Sequence, residues 1–245
     1  MSAATGNKFW GVCNSQSSRQ RGEFSLMTDY KALAAEKWFG YGRWDAPYWF
    51  VGMEPGGDED PRVYETWHDL GAPELLDLKA HSEACHDMKW VTQNPPLQRT
   101  WMQLIRIALG YEGLTPDPED VRRYQRDRLG RSDDDTLLIE LSSVNAKSLS
   151  VSVPERERHR EERIETIRRR MMENSPKFVV FYGVSYRNDY ENVAGSSFDE
   201  HGYCWRGRTL CVLVPHPVAR PPKTSDWWSA KGREMSALPR PPLFQ

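Results

Sequence analysis

The chain lacks a cysteine framework. Its four cysteines, Cys13, Cys85, Cys204 and Cys211, are scattered through 245 residues without a CxxC pair. That excludes a disulfide-stapled mini-domain and the usual zinc or iron–sulfur ligand spacings. They read as reduced thiols of a cytoplasmic protein. No apolar run approaches the roughly 20 residues of a membrane-spanning helix. The polar stretch at 1–21 has no apolar core of a secretory signal, and residues 1–26 read as a flexible leader before one domain over 27–245. Charge of one sign is missing too: a formal net charge of −2 excludes a protein that grips polyanions by bulk electrostatics, though not one with a local basic face. No internal repeat is present.

Apolar and aromatic residues are plentiful. Hydrophobic residues make up 38% of the chain, with ten Trp, ten Tyr and eight Phe. A domain of this size buries about 70–75% of its unfolded surface and needs neither disulfide nor metal to hold a core. Four short apolar runs, at 48–51, 136–139, 178–182 and 209–214, lack polar alternation, as strands buried on both faces do. Each stops abruptly, at Gly52, at 140–143, at Gly183 and at 215–217. Helical periodicity fills two of the gaps. Residues 97–109 place Leu97, Trp101, Leu104, Ile105 and Ala108 on one face, with Gly110 as terminator. Residues 154–172 start at a first-turn proline, carry an Ile164, Ile167, Met171 stripe, and end before Pro176. Strands alternating with helices imply an α/β fold, a three-layer α/β/α sandwich around a central four-stranded, mostly parallel sheet. No element is legible between residues 58 and 96.

In open parallel sheets ligands bind beyond the carboxyl ends of the strands. Two unusual segments fall there. The first strand runs into Gly52-Met53-Glu54-Pro55-Gly56-Gly57, where glycines around a proline permit a tight turn with exposed N–H groups and a central carboxylate. The last strand runs into Pro215-His216-Pro217, where flanking prolines fix the direction of an imidazole.

In these two motifs, and in the order of the four strands that carry them, residues 48–228 resemble the uracil-DNA glycosylase superfamily. The resemblance rests on Gly52-Met53-Glu54-Pro55-Gly56 and on His216-Pro217-Val218. It implies hydrolysis of the bond between base and sugar after the nucleotide is flipped out of the stack. Glu54 stands where the family orients a water, and His216 where it donates to the base oxygen. An aromatic ring about a dozen residues after the first motif stacks on the base; Trp67 is the favoured candidate and Tyr64 the alternative. Gly52, Met53 and Gly56 belong to the base pocket. An amide after the second strand reads the base in the family. Here that segment offers Asn145, further along than expected, with Glu140 and Ser142 competing. Gly56 replaces the tyrosine that excludes 5-methyl bases in the best-known branch, which widens the expected substrate range. The iron–sulfur branch's clustered cysteines are absent.

Arg220 occupies the position of the family's apolar wedge, with Lys223 nearby as a phosphate contact. From Arg206 onward seven basic residues face two acidic ones, a local patch suited to phosphates. Arg168-Arg169-Arg170 reads as a solvated helix face, and Asp58-Glu59-Asp60 as a solvated loop. The expectation is therefore a monomeric, monofunctional glycosylase of base excision repair, without cofactor or metal, acting on uracil in single- or double-stranded DNA. No amine nucleophile adjoins the motifs, which speaks against a lyase step. The alternatives are a non-catalytic module that binds nucleic acid or a nucleotide, and a metal-dependent hydrolase of small phosphate esters.

Overall fold

The computed structural model describes residues 23–56, 60–145 and 157–241, with side chains from residue 30 onward. Among these residues one seven-stranded sheet forms, from β1 (Gly40–Tyr41), β2 (Tyr48–Gly52), β3 (Leu75–Leu76), β4 (Thr136–Glu140), β5 (Phe178–Tyr182), β6 (Tyr203–Arg206) and β7 (Thr209–Val214). Its order is β3-β1-β4-β2-β5-β7-β6. The four expected strands are its centre, β4-β2-β5-β7, all parallel. The sheet is wider than four strands because short edges extend it on both sides. β1 and β6 join antiparallel, and β3 pairs parallel with β1.

The central strands are buried on both faces. Tyr48, Phe50, Phe178, Val180, Leu210 and Val212 pack into one apolar cluster, and Trp49, Val51, Val179, Phe181, Cys211 and Leu213 into the other. This alternation explains their unbroken hydrophobic runs. Helices cover both faces: α1 (Glu23–Lys37), α2 (Pro61–Asp69), α3 (Leu78–Ala84), α4 (Arg99–Tyr111), α5 (Pro118–Asp127) and α8 (Ser225–Ala237) lie with the first cluster. The second is covered by α6 (Arg160–Asn174) and α7 (Arg187–Ala194). The architecture is the expected α/β/α sandwich.

Several boundaries differ from the sequence reading. Residues 23–26 already belong to α1 rather than to a leader. The illegible stretch contains α2, opened by the Asp60 carboxylate accepting from the Arg62 N–H with Pro61 at its start, and α3, capped by Asp77. Gly110 does not end α4, which continues to Tyr111. It is small for another reason: a Cβ there would overlap the Ser229 carbonyl of α8, and one at Gly232 the Ile107 carbonyl of α4. The two helices cross backbone to backbone.

Beyond β4 the chain depends on one buried cation. Arg163 of α6 is 1% exposed and donates to the carbonyls of Leu141 (3.0 Å), Glu140 (2.8 Å) and Ala35 (3.2 Å). Its guanidinium lies 4.2 Å from the centre of the Phe39 ring. It ties the end of β4 to α1. Replacing Arg163 with Leu strands three buried acceptors, so urea denaturation should show a loss of about 3 kcal/mol or more; a change under about 1 kcal/mol would mean the clamp is dispensable.

Candidate active site

Strand order reverses between β2 and β5, because β4 lies to one side of β2 and β5 and β7 to the other. A crevice opens at such a point beyond the carboxyl ends of the strands. Here it is a cleft of about 350 Å³, whose lining includes Met53, Glu54, Tyr182, Tyr186, His216 and Ala219. The two motifs, far apart in sequence, thus face one another.

The floor is built by side chains in register. Gly52 of β2 pairs with Glu140 of β4, and Tyr182 stands in the corresponding place on β5, one step beyond the Val51–Phe181 pair. Two strand spacings, about 10 Å, separate the flanking strands. Because Gly52 has no side chain, Glu140 and Tyr182 reach across it, and the Tyr182 hydroxyl donates to Glu140 Oε1 at 2.6 Å. A Cβ on Gly52 would overlap both groups. Burial raises the Tyr182 phenol well above its ordinary range, so it stays a donor. Burial also pushes the Glu140 carboxyl up to about 8, helped by the charge of Glu54 and opposed by Tyr182 and Arg163.

His216 extends this row. Its ring centre lies 5.7 Å from that of Tyr182, and its Nδ1 accepts from the Val218 N–H at 3.3 Å. The neutral ring therefore carries its hydrogen on Nε2. The imidazole opens to solvent at the mouth of the cleft, yet the protein around it disfavours charge and lowers its pKa. Met53 is buried, and Glu54 and Gly56 are half-buried.

The aromatic candidates need correction. Trp67 is 0% exposed and Tyr64 is 3% exposed, both inside the first apolar cluster. Trp67 stacks on Trp38 at 6.1 Å and donates through Nε1 to the Pro73 carbonyl. Helix α2 turns both rings into the core, away from any ligand. The aromatic side chain that does line the cleft beside Tyr182 is Tyr186, on a single 3-10 turn (Val184–Tyr186) after β5. Gly183 starts that turn at φ 115°, a conformation suited to glycine. Only the abrupt stop at Gly183 marked this segment in the sequence.

After β4, Ser142 is buried, and its hydroxyl accepts from the Val144 N–H. Neither Ser142 nor Asn145 belongs to the cleft lining, and Glu140 is the residue of that segment that reaches Tyr182. Among the described residues no group of three His, Cys, Asp or Glu side chains is placed to hold a metal. Asp58 and Glu59 lie outside those residues, and Asp60 caps α2. No described helix is long and apolar enough to cross a membrane.

The basic patch is divided by the β6–β7 hairpin. Arg206 and Arg208 sit at the amino end of β7, about 20 Å of strand away from His216. Lys231 pairs with Glu234. Arg168, Arg169 and Arg170 pair with Glu165, Glu173 and Glu74. Arg220 and Lys223 do flank the site, lining with Arg99 a groove that meets the cleft at Ala219.

No protein-family model matches the chain, and no curated protein matches it. The site therefore stands on its own geometry.

Gly52→Ala should separate Glu140 from Tyr182 and cost about 1–3 kcal/mol of stability in urea titration. Unchanged stability would mean that the glycine gap is not needed.

Proposed function

We propose that the protein is a monofunctional DNA glycosylase that hydrolyses the N-glycosidic bond of uracil, and of related deaminated bases, as a monomeric cytoplasmic enzyme of base excision repair. The observation that carries this reading is the convergence of Glu54 and a neutral His216, hydrogen on Nε2, in one base-sized cleft. The sugar becomes cation-like as the bond breaks, and the departing base takes the electron pair. Glu54 orients the attacking water and takes up its proton while the water oxygen bonds to the sugar carbon. His216 Nε2–H donates to the oxygen of the base where negative charge develops. The proton finally rests on the released base, leaving an abasic site.

A neutral donor suits this step. It stabilises the anion without first having to take on the charge that the protein around the ring disfavours. The largely apolar cleft accepts a flipped base with little desolvation penalty.

Incubation with uracil-containing single- and double-stranded oligonucleotides should yield abasic sites. His216→Ala and Glu54→Gln should each slow release by about 10²–10³-fold. Absence of release from either substrate overturns the enzymatic reading, and DNA affinity without release would instead identify a binding module.

The groove beside Ala219 carries a separate expectation. Arg220→Ala and Lys223→Ala should each flatten the salt dependence of DNA binding by about 0.7–0.9 in log–log slope, one phosphate contact each. Arg208→Ala, at the far end of the sheet, should leave it unchanged. Equal effects at all three positions would mean diffuse attraction rather than a strand path.

A further inference from the structure

The most unusual group near the cleft is one that the glycosylase reading leaves without a role. Glu140 is 5% exposed and lies under the cleft rather than on its wall. Its Oε1 accepts from Tyr182, while its Oε2 is buried with no hydrogen-bond partner among the described residues. The nearest cation does not neutralise it directly: the donors of Arg163 go to the backbone carbonyls of Ala35, Glu140 and Leu141. A buried carboxylate with one neutral hydrogen bond and no cation in contact is strongly disfavoured against its protonated form. Glu54, which follows β2 two residues after Gly52, adds like charge from the cleft side.

The groups facing this carboxyl are therefore few. Tyr182 reaches it from β5, Arg163 from α6, and Glu54 from the end of β2. Tyr190 of α7 lies behind, with its hydroxyl donating to the Tyr182 carbonyl at 3.1 Å. Both tyrosines are held neutral by burial.

We propose that Glu140 is a neutral carboxylic acid in the working protein, and that with Glu54 it forms an acid–carboxylate pair. In that pair Glu54 is the anion at the cleft, and Glu140 is a positioning residue that fixes Tyr182 beneath His216. The protonation of Glu140 is a property of the fold; its consequence for turnover rests on the glycosylase reading. Two carboxyls whose surroundings separate their proton affinities differ in charge at neutral pH, one protonated and one ionised. Ionisation of Glu140 places a second negative charge beside Glu54 and beneath a base that is itself becoming anionic. Turnover then falls on the alkaline side, where burial and the neighbouring charge place this titration at about 8.

The test has two parts, both on the full chain. Infrared or carbon-13 spectroscopy of protein labelled at glutamate should show one protonated carboxyl at pH 7 that disappears on titration near pH 8. The signal should be missing in Glu140→Gln, and in Glu54→Gln its midpoint should move down. No protonated carboxyl at pH 7, or a midpoint indifferent to Glu54, overturns the pair whether or not the protein cleaves DNA. The second part is the pH profile of uracil release. Wild type should lose activity about tenfold per pH unit well above the titration. Glu140→Gln, a neutral isostere that cannot ionise, should lose that alkaline limb whatever its rate at pH 7. The same limb in the Gln variant overturns the role in turnover. If wild type releases no uracil at any pH, the glycosylase reading and the role in turnover fail together, while the spectroscopy still decides the protonation claim.

Discussion

A missing side chain organises the carboxyl edge of this sheet. Gly52 leaves a gap between β4 and β5 through which the Glu140 carboxyl and the Tyr182 hydroxyl meet at 2.6 Å. The contact links three adjacent strand ends and sets the floor on which Met53 and Glu54 rest. His216, arriving from β7, packs beside Tyr182. Glu140, Gly52 and Tyr182 stand at one level of the parallel register, and His216 follows two residues beyond Val214, the partner of Tyr182 on β7. Arg163 supports the same row from behind by donating to the carbonyls of Ala35, Glu140 and Leu141.

The electrostatics of the row are consistent with its burial. Burial pushes Glu140, Tyr182 and Tyr190 beneath the cleft toward their neutral forms, and lowers the Arg163 guanidinium behind them as well. His216 is pushed the same way at the mouth. Charge is thereby kept out of the floor, and in the proposed reaction it resides on Glu54 and on the substrate. A low-dielectric floor strengthens the interaction of both with the imidazole donor.

The central strands were legible because burial on both faces writes itself into sequence as unbroken runs of Val, Ile, Leu and Phe. β1 and β3 were not, since two residues carry no period, and β6 is a short edge whose Trp205 and Arg206 are not buried. Helices α2 and α3 had readable openings in Asp60-Pro61 and Asp77, masked by the irregular sequence around them. Glu54 and His216 were found because strand-end position survives in one dimension. Trp67 misled because counting residues past a motif cannot show that a helix intervenes and turns the ring inward. Charges counted by position misled likewise, for a hairpin carries Arg206 and Arg208 to the far end of β7. Glu140 was visible as a strand-end acid, but its significance depends on the gap at Gly52 and on Tyr182, which meet only in three dimensions.

In the proposed reaction this cleft takes a pyrimidine base against the Nε2–H of His216. Titrating free uracil into protein labelled with nitrogen-15 at histidine tests that contact without requiring turnover. The Nε2 resonance of His216 should shift and saturate, while that of His81, buried against Tyr41 and Cys85, should stay in place. A His216 resonance that does not move at saturating uracil, or moves no more than that of His81, would contradict that contact.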